Sequence, residues 1–306
     1  MYFKHYILSV AIFFMYNCLF SAIDSTIPDT SFINEFRQAK NLYPRDIPID
    51  IVHNFYSLIG PIELLNVIEE QQCHIKGHNV GKVVFMNMNG PNRTQQLLES
   101  IKLCKNRCTG ACFHGALLQY FHNITSGREH SVNSSVIRPF FSSLCDGDGV
   151  LATEIIKFYG RGDCFHSLGH VVMSLSKHDV IRAMEVCKFL DERLAAYYCA
   201  TGAYHEYFLV EDKAYNVSSL LAPCDQSNNF PAACYRAVYM HKPTFKSKGY
   251  QTMAQICLTM HDSNQRRGCF HGYGFLFAPS VAMRGISMKT LCSVTADRVN
   301  IFLFCS

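Results

Sequence analysis

Histidines at short, repeated spacings carry what chemistry this chain has. Asp163–His170 reads D-C-F-H-S-L-G-H, so His166 and His170 stand four residues apart with Gly169 before the second. His74-Ile75-Lys76-Gly77-His78 repeats the H-x-x-G-H spacing, with Cys73 directly before it. On a helix, residues four apart share one face, so each pair can aim two imidazoles at one point. Such pairs can hold one side of a metal site, and His114, His205 and His271 can add ligands from neighbouring helices. The plainer reading is packing. In a crowded helix stack a histidine hydrogen-bonds a nearby backbone group, and the adjacent glycine lets two helices approach. Packing is the first expectation, each ring with its own partner at a separate place along the stack. Metal or haem ligation by His74, His78, His114, His166 and His170 is the second, and catalysis the third.

Familiar enzyme signatures do not fit. His205-Glu206 is followed by Tyr207-Phe208-Leu209, which is not H-E-x-x-H. Cys108-Thr-Gly-Ala-Cys112 has one residue too many for haem attachment, and zinc-finger spacing is absent. There is no G-x-S-x-G and no phosphate-cradling glycine loop. No catalytic residue and no resident cofactor can be named from these motifs.

The elements that must position the histidines are repeats. Cys164, Cys199, Cys234 and Cys269 follow one another at intervals of 35 residues, and Cys305 comes 36 later. A second cysteine precedes each: Cys145, Cys187, Cys224, Cys257 and Cys292. A fixed period in this range marks stacked helical hairpins. Val180–Leu190 has apolar residues at helical spacing, and Cys164–Met173 reads as its partner helix, with Asp163 placed to cap it. The fold class expected is therefore all-α: a disulfide-stapled α-solenoid over residues 62–306, with a period of about 35 residues. Residues 23–61 form a lead-in, with a short amphipathic helix over Thr30–Asn41 that Pro44 and Pro48 end.

In each hairpin one cysteine sits late in the first helix and the other early in the second, across the connecting turn. That geometry predicts Cys187–Cys199, Cys224–Cys234, Cys257–Cys269, Cys292–Cys305 and Cys145–Cys164. Cys73, Cys104, Cys108 and Cys112 pair among themselves in an order the spacing does not reveal. Each closed loop contributes about 2–3 kcal/mol in the chain-entropy account. Oxidised cysteines are poor metal ligands, because only the thiolate binds. Phe113, Phe165, Tyr235 and Phe270 each follow a repeat cysteine and read as packing rings between units.

The totals agree with an extracellular globular protein. Of 306 residues, 49% are hydrophobic and 17% charged, and the net charge of +4 has no basic run behind it, which argues against nucleic acid. Residues 1–22 have the form of a signal peptide, a short basic start before an apolar run. An uncleaved signal-anchor is the alternative and the one route to a membrane. No later stretch reads as long and apolar enough to span a bilayer. Fifteen cysteines less Cys18 in the signal leave an even number. Sequons at Asn92, Asn123, Asn133 and Asn216 fit the secretory route, where thiols oxidise.

The order of the motifs resembles a group of uncharacterised secreted proteins, mainly bacterial, built of Cys/His/Gly helical repeats. The likeness runs over roughly residues 66–280. It is carried by Cys73-His74-Ile-Lys-Gly-His78, Cys112-Phe-His114-Gly, Cys164-Phe-His166-Ser-Leu-Gly-His170, Cys234-Tyr-Arg236 and Cys269-Phe-His271-Gly. It implies a fold and no activity. The functional expectation is a secreted, glycosylated interaction module that binds a protein or glycan-bearing surface. A metal- or haem-binding protein, with redox activity possible, is the alternative.

Overall fold

The computed structural model describes residues 30–43, 46–70, 74–105, 107–125, 134–210, 223–224, 229–241 and 249–283. Every regular element among them is helical. In order these are α1 (Thr30–Leu42), α2 (Ile49–Glu69), α3 (His74–Asn87), α4 (Arg93–Leu103), α5 (Ala111–Thr125) and α6 (Ser134–Cys145). Then come α7 (Val150–Leu175), α8 (Val180–Lys188), α9 (Arg193–Val210), α10 (Pro231–His241), α11 (Tyr250–Thr259) and α12 (Ser263–Met283). A single 3-10 turn, Cys108–Gly110, precedes α5.

Local sequence explains several boundaries. The Asn92 side chain accepts the Gln95 amide at 2.9 Å and caps α4. Asp179 caps α8 in the same way, accepting from Ile181 and Arg182. Two long helices are broken inside by glycines in the left-handed region. Gly60 has φ 76°, before Pro61 in α2, and Gly160 has φ 78° in α7. At such angles a β-carbon would clash, so glycine is the residue that permits the break. The Gly160 break divides α7 into two segments, so Cys164 lies near the start of the second, as the spacing predicts. Asp163, expected as a cap, lies in the first turn of that second segment and not at its cap position.

Helix α1 is docked on α2 and α3. Lys40 of α1 is fully buried, and its Nζ donates to Val67 O of α2 at 2.6 Å. Lys76 Nζ of α3 donates to Lys40 O at 2.7 Å. Contrary to the expectation for later stretches, α2 is long and apolar enough to cross a membrane by length and composition. Val52, Phe55, Ile59, Leu64 and Leu65 are instead buried, in a helix packed on α1 and α3.

Five cysteine pairs lie at disulfide distance. They are Cys104–Cys112, Cys145–Cys164, Cys187–Cys199, Cys224–Cys234 and Cys257–Cys269. Their Cα separations of 5.3–5.7 Å suit the bond. Four of them staple helix to helix: α4 to α5, α6 to α7, α8 to α9 and α11 to α12. The expected Cys292–Cys305 pair and Cys73 lie outside the described residues. Non-reducing digestion is expected to release Cys187 linked to Cys199 and Cys257 linked to Cys269. A Cys199–Cys224 peptide would contradict this register.

Glycines set how the inner helices meet. A β-carbon on Gly115 of α5 would lie 1.8 Å from the His78 carbonyl oxygen of α3. One on Gly202 of α9 would lie 1.8 Å from the His166 carbonyl oxygen of α7. Gly272 of α12 approaches Arg236 O of α10 in the same manner, at 2.8 Å. Thus α3 packs on α5, α7 on α9 and α10 on α12, backbone against backbone. Twice the touching carbonyl belongs to a histidine of the sequence motif. The repeat aromatics fill the core around these crossings: Phe113 stacks on Tyr159 with centroids 4.3 Å apart, and Phe165 and Phe270 are buried.

Candidate metal centre

The glycine crossings bring histidines from five helices to one place. α3 supplies His74 and His78, α5 His114, α7 His166 and His170, α9 His205 and α10 His241. Their rings form a continuous contact network. His114 stacks on His170 at 4.7 Å and His74 on His205 at 4.8 Å, while His205 meets His241 at 4.6 Å. Two groups have ligand atoms all within 4.8 Å of one another: His74, His78, His114 and His170, and His166, His170 and His205. The five histidines expected as ligands are all in these groups. The expectation of separate packing partners along a stack is corrected, because the facing helices converge. His271 does not join them; its Nδ1 lies 2.7 Å from Tyr197 Oη.

Hydrogen bonds orient the rings at the centre. The Thr201 hydroxyl lies 2.7 Å from Tyr198 O and 2.9 Å from His166 Nδ1, and its one proton can serve either. His166 Nδ1 pairs with that hydroxyl at 2.9 Å, donating or accepting according to its tautomer. His170 Nδ1 donates to Glu206 Oε2 at 2.8 Å. Both rings therefore turn Nε2 to each other, 3.3 Å apart. With the His166 proton on Nδ1, two neutral rings face lone pair to lone pair; with it on Nε2, the contact is an N–H···N hydrogen bond. In the first arrangement a metal ion or an added proton between the rings makes the contact attractive. Nitrogens bound to one tetrahedral ion at about 2.0–2.1 Å lie about 3.3–3.4 Å apart.

The surroundings favour neutral imidazole, the ligating form. Burial above all, and then the charge of neighbouring rings, holds His78, His114, His166 and His205 well below the ordinary pKa. His170 is wholly buried. Burial tends to raise the pKa of Glu206, but its hydrogen bond to His170 and that ring's charge outweigh this, and the net shift is downward. Glu206 is thus a buried carboxylate that holds the His170 ring, an arrangement also found behind metal-binding histidines. Its Oε2 is also 3.9 Å from His78 Nδ1. Two buried ring atoms, His78 Nε2 and His114 Nδ1, have no hydrogen-bond partner.

Sequence reasoning missed Glu206, Thr201 and His241. Thr201 stands where the repeat replaces the first histidine, and it still serves that position by orienting His166. Glu206 directly follows His205, and a carboxylate inside an apolar helical run was its signal. His241 is one residue out of repeat register and had none.

Acidification is expected to destabilise the metal-free protein from about pH 6.5 downward. The folded rings titrate below 6.5, so the unfolded chain takes up protons first, and stability falls as pH falls. Asp46, which burial raises to about 7 against the pull of Lys82, works the other way between about pH 4 and 7. Four rings outweigh one carboxyl. Melting temperature measured from pH 7.5 to 5 checks the sign, and a flat or rising profile on acidification would contradict it.

The chain matches no known protein family, no characterised protein and no solved structure.

Proposed function

We propose that this protein binds a first-row transition metal in a buried, all-imidazole centre, within a disulfide-stapled helical-repeat scaffold of the secretory route. The observation that carries this reading is the grouping of His74, His78, His114 and His170, and of His166, His170 and His205, with ligand atoms within 4.8 Å of one another in each group and His166 Nε2 3.3 Å from His170 Nε2. Imidazole donors suit zinc, copper, iron and nickel, whereas calcium and magnesium take oxygen ligands. The disulfides withdraw thiolates from competition. The rings also touch one another across the centre, which favours a small ion over a porphyrin. Secretion and glycosylation belong to the same proposal: the paired cysteines call for an oxidising compartment, and Asn92 offers an exposed sequon. A stack of hairpins that meets a protein or glycan-bearing surface on its outer face is compatible with this and uses no residue of the centre.

The test is the metal content of untagged protein secreted from a eukaryotic host. At least one equivalent of zinc, copper, iron or nickel is expected after dialysis. Returning zinc or copper to metal-free protein at 1,000 times the dissociation constant is expected to add about 4 kcal/mol of stability. Absence of metal, with no thermal response to either ion, would overturn the reading.

A further inference from the structure

Resting on the metal reading above, we infer that the centre holds two ions and not one. A four-coordinate ion takes four donors, whereas the two groups together offer six imidazoles and share only His170. His170 cannot serve both. Its Nδ1 is committed to Glu206, so it has one donor atom, and that atom faces His166 Nε2. It therefore belongs with His166 and His205. The other set keeps His74, His78 and His114.

The second set carries its own sign of a missing ligand. His78 Nε2 and His114 Nδ1 are buried ring atoms without a hydrogen-bond partner, in side chains only 5% and 2% exposed. An ion between His166 and His170 leaves both unexplained. A second ion gives each a partner.

The two sets are adjacent. His114 stacks on His170 and His74 on His205, each pair crossing from one set to the other. Glu206 lies between, hydrogen-bonded to His170 Nδ1 at 2.8 Å and with its Oε2 3.9 Å from His78 Nδ1. Three histidines per ion is the donor count that leaves a fourth position open. Two such ions side by side suit a small bridging ligand, of the class of hydroxide or azide.

Native mass spectrometry and electron paramagnetic resonance on metal-free protein titrated with copper(II) test this. Two copper ions per chain are expected, with a doubly integrated signal well short of two spins because neighbouring cupric ions couple. Titration with zinc(II) should also end at two per chain. His114→Gln should bind one copper ion and show a full one-spin, uncoupled signal, with its disulfides and helical circular dichroism unchanged. Should that variant misfold, the wild-type titration decides alone. Saturation at one copper with a one-spin signal would overturn the two-ion centre and leave the metal-binding reading standing. No uptake of either ion would overturn both.

Discussion

His170→Ala is expected to weaken metal binding by at least about 100-fold and to destabilise the metal-free protein by about 3–5 kcal/mol. The two losses have different causes. The first follows from the Nε2 that faces His166; even loss of a partner that merely orients a ligand costs about 10–100-fold in affinity. The second follows from Glu206, a buried carboxylate left without the ring that now donates to it at 2.8 Å. Breaking a buried charged pair by removing one member costs about that much. The double variant His170→Ala/Glu206→Gln separates them. It should regain part of the stability, because the uncompensated charge is gone, and should regain none of the metal. Calorimetric titration and chemical denaturation of the three proteins provide the numbers. If the double variant bound metal as tightly as wild type, His170 would not be a ligand.

Gly202→Ala is expected to destabilise the fold by at least about 3 kcal/mol, the upper part of the range for overpacked sites. The new methyl group would sit 1.8 Å from His166 O and 2.8 Å from its carbonyl carbon. Both are backbone atoms, so no rotamer change relieves the contact, and α7 and α9 must move apart. That movement carries His166 and His170 away from His205, so metal affinity should fall with stability. Gly274→Ala is the control. Gly274 lies within α12 with nothing within 4 Å of an added β-carbon. There the better helix former should stabilise by up to about 1 kcal/mol. Equal melting temperatures for the two variants would contradict the role given to the glycine crossing.

What was legible in the sequence was local. The cysteine period, the hairpins and pairs such as Cys187–Cys199 depend on residues 10 to 19 apart, and spacing alone reveals them. The convergence of the histidines depends on which helices face one another, and period does not contain that. His166 and His170 share a face by helical geometry. That His78 and His114 meet the same centre depends on Gly115 touching the His78 backbone, a contact 37 positions away in the chain. A glycine beside a histidine reads equally well as packing or as a ligand site. The structure shows the close packing, and that packing is what brings the rings together. His271 was drawn in by its repeat position, yet α12 crosses α10 outside the cluster and gives it Tyr197 as a partner. His241 and Glu206 entered from outside the repeat pattern.

The most direct measurement is the X-ray absorption spectrum of the native protein at the edge of whichever metal it retains. A first shell of nitrogen at about 2.0–2.1 Å, with the outer-shell scattering of several imidazole rings and no sulfur near 2.3 Å, is the predicted result. A sulfur shell would place the metal on cysteines. A shell of oxygen alone would place it on the surface. Either would contradict a centre built from His166, His170 and their neighbours.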